Sequence, residues 1–479
     1  MVVVASSSVS PSVVVDLLRE ELGDRVVTDP AVLDALRTDK SGWWSADPAI
    51  ALVEAREVGD VQTAVRIAHR HGVAIVPRGA GTGLAGGATS TAGCIVLSLL
   101  QMNRILEISL HDELAVVEPG VINQALSDTL APHGYVFSPD PASKAISTIG
   151  GNIANNAGGL LCAKYGVTRE AILGLTVVLP DGSLLETGRR TVKGVTGYDL
   201  TALFTGSEGT LGVVVQATVR IRPIPEGPVA TIGAFFSDVT AAAAACAAVT
   251  AARVRPAVME LMDAASVASV DRYLGTPSVQ PGAAYVLVQT DTLSAEAEAA
   301  QIASILDTNG ALQVELSTDP AAGEALLAFR RAFHPSLEAL GEVLVEDVCV
   351  PRSNLAAMFA EIERISVAYG IAIPTVSHAG DGNLHPNFVI SRAAVEDSDA
   401  AADAAPTDQL GVPDVVWQAA DELFQASVRL GGTLTGEHGV GVLKRRWLEN
   451  ELGTAGLDLQ RRIKAVFDPT GIMNPGKVY

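Results

Sequence analysis

Residues 77–89 read PRGAGTGLAGGAT, with five glycines in thirteen positions. They follow a short apolar run, Ala74 to Val76, that reads as a strand. Backbone this bare of side chains can turn sharply and leave its N–H groups facing an anion. Arg78 adds a positive charge at the same place. The loop is neither GxGxxG opening a long helix nor GxxxxGK followed by Ser or Thr, so an ordinary Rossmann or Walker A site is disfavoured. A plain glycine-rich turn would have the same composition. The loop therefore gains weight only from what accompanies it.

The rest of the composition narrows the setting. The chain has 479 residues, 48% hydrophobic and 18% charged, which provides for large buried cores and excludes a disordered chain. Lys plus Arg number 33 and Asp plus Glu 54, a net charge of −21. That balance argues against nucleic acid or anionic lipid as the main partner. The cysteines Cys94, Cys162, Cys246 and Cys349 lie far apart with no CxxC pair, which excludes a disulfide scaffold, a zinc ribbon and an iron–sulfur ligand set. The N-terminal MVVVASSSVSPS has no basic residue before its apolar stretch, so a secretory signal is not expected. No run of 18 apolar residues occurs, so no transmembrane segment is expected. The expected location is cytoplasmic, with peripheral attachment to the inner face of a membrane left open.

Residues 1–45 read as a helical segment, opened by Ser10-Pro11 and an apolar stripe of Val13, Leu17 and Leu18. From 46 to 225, short β-branched runs alternate with glycine-rich turns, an α/β texture. Pro223 to Pro228 reads as a linker. Strands and helices alternate again over 226–435, including an alanine helix from Thr240 and a helix from about Pro413 to Leu430 stopped by Gly431-Gly432. Residues 393–408 carry five acidic residues and no basic one, and read as a mobile surface loop. Residues 436–479 form the C-terminal segment.

Three more stretches share the character of the glycine loop: SPDPASKAISTIGGNIANNAGGLLCAKYG at 138–166, TGYDLTALFTGSEGTLGVV at 196–214 and FDPTGIMNPGKVY at 467–479. Small residues and amides in such runs can lie close to a flat, extended ligand. Together the four resemble the FAD-binding domain of vanillyl-alcohol oxidase-type flavoproteins, and within these the D-lactate dehydrogenase and glycolate oxidase large-subunit group. The resemblance covers about residues 46–479. It implies a mixed α/β (α+β) fold, with an FAD-binding domain over 46–225, an α/β substrate or cap domain over 226–435, and a C-terminal segment returning to the FAD domain. It also implies FAD contacts at Arg78, Gly79, Gly81, Thr82, Gly83, Ser143, Gly151, Asn152, Asn155, Glu208 and Asn474. No histidine lies within 77–89 or 134–333, so FAD is expected to be held non-covalently. Cys162 is expected to be a buried small apolar residue rather than a flavin attachment point.

Two short motifs hold three of the eight histidines. The first is SHAGDGNLHPNF, residues 377–388. A four-residue turn over Gly380 to Asn383 would set His378 opposite His385, with Cβ atoms about 4.5–5.5 Å apart and both imidazoles able to reach one metal ion. The second is TGEHGVGVLKRRWL, residues 435–448, where Glu437 and His438 are neighbours that should point different ways. By the resemblance, His378, His385 and Glu437 are ligands of one divalent metal, zinc first and manganese or iron next. His438 is then the general base. The same resemblance places a substrate carboxylate on Arg330, in LLAFRRAFHPSLEALG, with Arg331 as the alternative. Asn387 and Lys444 complete the substrate contacts.

The expected activity is FAD- and metal-dependent oxidation of a small D-2-hydroxy acid, D-lactate before glycolate. A D-2-hydroxyglutarate dehydrogenase is the near rival, opposed because no lysine precedes Asp347 in LVEDVCVP. An alkyl-dihydroxyacetone-phosphate synthase-like transferase shares the fold but would not need the histidine pair. A non-catalytic flavin-binding subunit would be expected to lack the metal ligands. The expected electron acceptor is a quinone, a cytochrome, an electron-transfer flavoprotein or an iron–sulfur partner, and a homodimer is compatible with the resemblance.

Overall fold

A computed structural model describes residues 10–275, 283–390 and 410–479. The acidic stretch 393–408 lies outside the described residues. The chain divides into two compact units. One takes in the N-terminal part to Ala157, Val167–Pro223 and His438–Tyr479; the other takes in Gly158–Gly166 and Ile224–Glu437.

The first unit opens with the helix Pro11–Leu22, whose Pro11 stands at its first position, where a missing N–H costs nothing. Val14, Val15, Leu18 and Leu22 are buried along one face. That face packs with the strands Ala51–Glu54, Ile95–Ser98 and Ile75–Arg78, which are parallel neighbours in that order. A second sheet is antiparallel in the order Ile105–Ser109, Leu114–Val117, Val213–Arg220, Ile172–Val178, Leu184–Gly188. Strand Val213–Arg220 alternates buried and half-buried residues, the period of a sheet with one face on the core.

The chain's end is built into this unit. Ile75 N–H donates to Ile472 O at 2.7 Å and Asn474 N–H to Ile75 O at 2.8 Å, so the tail runs beside the strand that leads into the glycine loop. Ile472 and Met473 are buried in the same core as Val14 and Leu18. Asp468 makes the bend. Its carboxylate accepts from the N–H groups of Ile472 and Met473 and from Lys464 Nζ, all within 3.0 Å.

In the second unit the strands Ala230–Phe236, Val258–Met262, Ala284–Thr290 and Ala311–Ser317 alternate with the helices Val239–Ala251 and Ala295–Thr308. Their order in the sheet puts Ala311–Ser317 beside Ala230–Phe236, then Ala284–Thr290, then Val258–Met262, every pair antiparallel. This is the ferredoxin-like split βαβ arrangement. The helical crossover does make Ala230–Phe236 and Val258–Met262 parallel, but a later strand inserts between them and runs against both. Alternation along the chain therefore does not yield a parallel sheet here. The sheet continues through Thr375–His378 and Asn383–Ile390 to Glu342–Val345. Helix Asp414–Arg429, close to the bounds expected from the sequence, buries Val416, Ala420, Leu423 and Ser427 along one face. Among the described residues, no helix is long and apolar enough to cross a membrane.

Asp468→Ala should lower the unfolding free energy by about 2 kcal/mol, because it strips the buried N–H groups of Ile472 and Met473 of their acceptor, while Lys464 keeps the carbonyls of Thr210 and Met473. A denaturation midpoint equal to wild type would show that the tail is not held at this bend.

Candidate metal and flavin site

The second unit gathers His378, His385 and Glu437. The hairpin register differs from the one anticipated. His378 pairs with Asn383, and His385 with Val376, so the turn is Ala379 to Gly382 rather than Gly380 to Asn383. The histidines are thus diagonal neighbours. Residues that are directly opposed, or two removed from that, share a face of the sheet. Both imidazoles still meet, with ring centroids 5.0 Å apart and the rings nearly perpendicular. Nε2 of His378 lies 3.4 Å and Nε2 of His385 3.2 Å from Oε1 of Glu437. One donor atom from each of the three falls within 4.8 Å of the others. Two imidazole nitrogens and a carboxylate oxygen suit a divalent transition metal with open positions.

Electrostatics reflect this crowding. Burial pulls the His378 pKa down, but Glu260 and Glu437 outweigh it and hold it well above the usual imidazole value. Burial pushes Glu437 up, while hydrogen bonds to His378 and His385 win and hold it below the usual carboxylate range. Asp381, in the turn, is raised by burial to about 6, against the pull of His378.

Two carboxylates escaped the sequence reading. Glu260 lies directly across the sheet from His378 and contacts its Nδ1 at 2.6 Å. Asp347 accepts from Asn383 Nδ2, Thr435 Oγ1 and the N–H of Glu437, at 2.6, 2.6 and 3.0 Å, and its Oδ1 stands 3.7 Å from His385 Nδ1. Asp347 had been noticed only for lacking a preceding lysine. Glu260 carried a signal that could have found it, since a charge inside the apolar run AVMELM has to find a buried partner.

Arg330 is buried, with Nε and Nη2 at 3.1 and 2.9 Å from Glu260 Oε2. It therefore already faces a protein carboxylate, which the sequence reading did not foresee. Arg331 is exposed and pairs with Glu324. Asn387 shares the face of His385 two residues along its strand. Its Nδ2 donates to His385 O at 2.6 Å, and its buried Oδ1 has no protein partner among the described residues.

The glycine loop belongs to the first unit. A Cβ at Gly79 would meet Thr148 Oγ1 at 2.4 Å, and one at Gly83 would stand 3.6 Å from Asn155 Nδ2, so the loop runs close against the helix Ile149–Asn155. Gly81 has φ +70°, and Arg78 Nη1 donates to Ala88 O at 2.7 Å, bracing the loop from within. Thr82, Ser143 and Gly151 are half-buried, and Gly151 N–H is taken by Thr148. Three residues expected at the flavin spend polar atoms on protein instead. Asn152 bonds Asn123 and Ser147. Buried Glu208 accepts from the N–H groups of Val440 and Gly441 at 2.7 and 2.8 Å. Asn474 Nδ2 bridges Gly87 O and Glu208 O, while its buried Oδ1 has no protein partner among the described residues. That orphaned acceptor, beside a loop free of side chains, fits a bound ligand. Lys444 is buried rather than a surface cation, with Glu208 in electrostatic reach. Cys162 is half-buried, not the buried apolar residue anticipated.

Comparison with known proteins agrees with this architecture. The chain covers 98% of its length against p-cresol methylhydroxylase with substrate bound, at a TM-score of 0.76 and 17% identity. It covers 96% against an alkyldihydroxyacetonephosphate synthase, at 0.70 and 18%. These likenesses show that the chain shares the fold of those two proteins. Residues 49–188 match the family described as FAD binding domain, and residues 227–478 that described as FAD linked oxidases, C-terminal domain. The chain belongs to the FAD-linked oxidases and is an FAD-dependent oxidoreductase. It is 39% identical over 434 residues to the glycolate oxidase subunit GlcD of Bacillus subtilis, covering 90% of this chain and 88% of the relative. It is 34% identical over 421 residues to the D-lactate dehydrogenase of Archaeoglobus fulgidus, covering 88% and 89%.

A Cβ at Gly158 would meet Glu437 Oε2 at 2.6 Å. Gly158→Ala should therefore displace that carboxylate and weaken zinc binding by about tenfold or more, read by competition with a chromophoric chelator. Undiminished affinity would mean that Glu437 is not a fixed donor.

Proposed function

We propose that this chain oxidises a small D-2-hydroxy acid, D-lactate or glycolate, to the 2-keto acid, with non-covalent FAD and one divalent metal. The observation that carries this reading is the convergence of His378, His385 and Glu437 on one point. The names of the Bacillus and Archaeoglobus relatives support the substrate class.

When bound, FAD accepts the hydride leaving C2, and a divalent ion at the three donors makes the substrate hydroxyl more acidic. His438 takes the hydroxyl proton, as an imidazole whose ordinary pKa lies near working pH. Its neighbour Glu437 is the donor, so His438 need not be one. Arg330 spends two of its five N–H groups on Glu260 and offers the remainder to the substrate carboxylate. Asn387 contributes its buried amide oxygen from the same sheet face. Lys444 is retained as a substrate contact from the resemblance alone. No lysine precedes Asp347, which favours a substrate with one carboxylate over 2-hydroxyglutarate.

Anaerobic bleaching of the flavin by a panel of D- and L-2-hydroxy acids tests the reading. D-lactate or glycolate should bleach it fastest, and chelation should abolish bleaching while FAD stays bound. Acid precipitation should release the flavin to the supernatant. Fast reduction by a fully metal-free protein would overturn the metal assignment, and flavin retained in the pellet the non-covalent one.

Stopped-flow reduction of two variants separates the residue roles. His438→Asn should be slower by about 10²–10⁴-fold at neutral pH and recover as pH rises and hydroxide replaces the imidazole. Arg330→Lys keeps the charge but loses the planar fork, and should cost roughly ten- to more than hundredfold in kcat/KM. A wild-type rate in either variant would remove that residue from its role.

A further inference from the structure

Glu260 has no part in the proposed reaction, yet it is fully buried in the middle of the sheet. A carboxylate there is costly unless it is paired and hydrogen-bonded. Its pairing is unusual. An arginine and a carboxylate that serve only to neutralise each other tend to meet fork to fork, through both oxygens. Here Arg330 Nε and Nη2 both converge on Oε2, and Oε1 is given over to His378 Nδ1 at 2.6 Å. Register places Glu260 directly opposite His378 on the neighbouring strand, so the contact is set by the sheet rather than by a flexible loop.

We infer that Glu260 is a positioning residue for the metal site: anchored by Arg330, it accepts the Nδ1 proton of His378 and thereby fixes the tautomer and ring angle that turn Nε2 toward Glu437. A carboxylate on the far nitrogen also makes the imidazole a stronger donor. The two histidines are supported unequally. Asp347 stands 3.7 Å from His385 Nδ1 and is engaged by Asn383, Thr435 and the Glu437 N–H. The tight, charge-compensated contact belongs to His378. This inference rests on the proposed metal site.

The test uses the full-length, FAD-loaded protein. Zinc affinity is measured by chelator competition, and the visible spectrum of the cobalt-substituted protein is recorded, for wild type, Glu260→Gln, the double variant Glu260→Gln with Arg330→Met, and His385→Ala. Glu260→Gln should lose about ten- to a hundredfold in zinc affinity and shift the cobalt spectrum with FAD content unchanged, while the unpaired Arg330 lowers the melting temperature of the metal-free protein. If that single variant does not fold, the double variant, which removes both buried charges together, gives the answer by the same two readouts. Wild-type zinc affinity and cobalt spectrum in a folded Glu260 variant would overturn the inference alone, and a lowered melting temperature with unchanged metal binding would assign Glu260 to the fold instead. A wild-type protein that binds zinc no better than His385→Ala would overturn the metal reading, and this inference with it.

Discussion

Charge burial in the second unit is the constraint on which the candidate site depends. Glu260 on its strand and Asp347 and Glu437 on loops lie close around the two histidines, and Arg330 pairs with Glu260. A fold whose net stability is about 5–15 kcal/mol cannot carry several uncompensated carboxylates. Hydrogen bonds relieve part of the cost, as Asp347 shows with its three donors. Asp381, in the turn beside His378, adds a fourth carboxylate, so negative charge outweighs the one paired guanidinium. Glu260 and Glu437 draw the His378 imidazole well above its usual pKa, and a proton there offsets part of the excess. A divalent cation at the three donors would offset more of it, and the same charge would make a bound hydroxyl easier to deprotonate.

The glycine loop follows a related logic with opposite means. There the polar side chains are turned inward to hold backbone. Glu208, itself at φ +51°, spends its carboxylate on two N–H groups, and Asn474 clamps carbonyls from both the loop and the Glu208 turn. The sheet-like pairing of the tail with Ile75 sets the base of this arrangement, so the last residues of the chain shape a loop nearly four hundred positions earlier.

Patterns that depend on neighbouring residues were legible in the sequence, and those that depend on pairing across the fold were not. The helix opened by Ser10-Pro11 and the helix expected from about Pro413 to Leu430 appeared where local pattern placed them. The two histidines of the hairpin were singled out through their motif and do meet, while the register assumed for them was wrong. His378 faces Asn383, and the rings meet only because diagonal positions share a face. Glu260 is far from His378 in sequence and meets it through a strand pairing that no local pattern encodes. The mixed α/β texture was legible from the alternation of strands and helices, while the antiparallel order of the second sheet follows from a strand insertion that no local pattern encodes. Arg330 was read from its motif without the carboxylate that occupies it.

The stretch Gly158–Gly166 shows why residue size matters as much as charge at this site. It belongs to the second unit, although the residues on either side of it belong to the first. Lys164 and Tyr165 both bind Asp291, which fixes the stretch at one end. At the other end Gly158 stands where any Cβ would press on Glu437. Ala163 likewise lies where a Cβ at Gly380, in the turn between the two histidines, would meet it at 2.6 Å. The hairpin turn and the third donor are thus both held by contact with one short segment. Small residues there let the backbone come close enough to confine both without a bond to either. Enlarging Gly158 would press on a donor atom while leaving every charge in place.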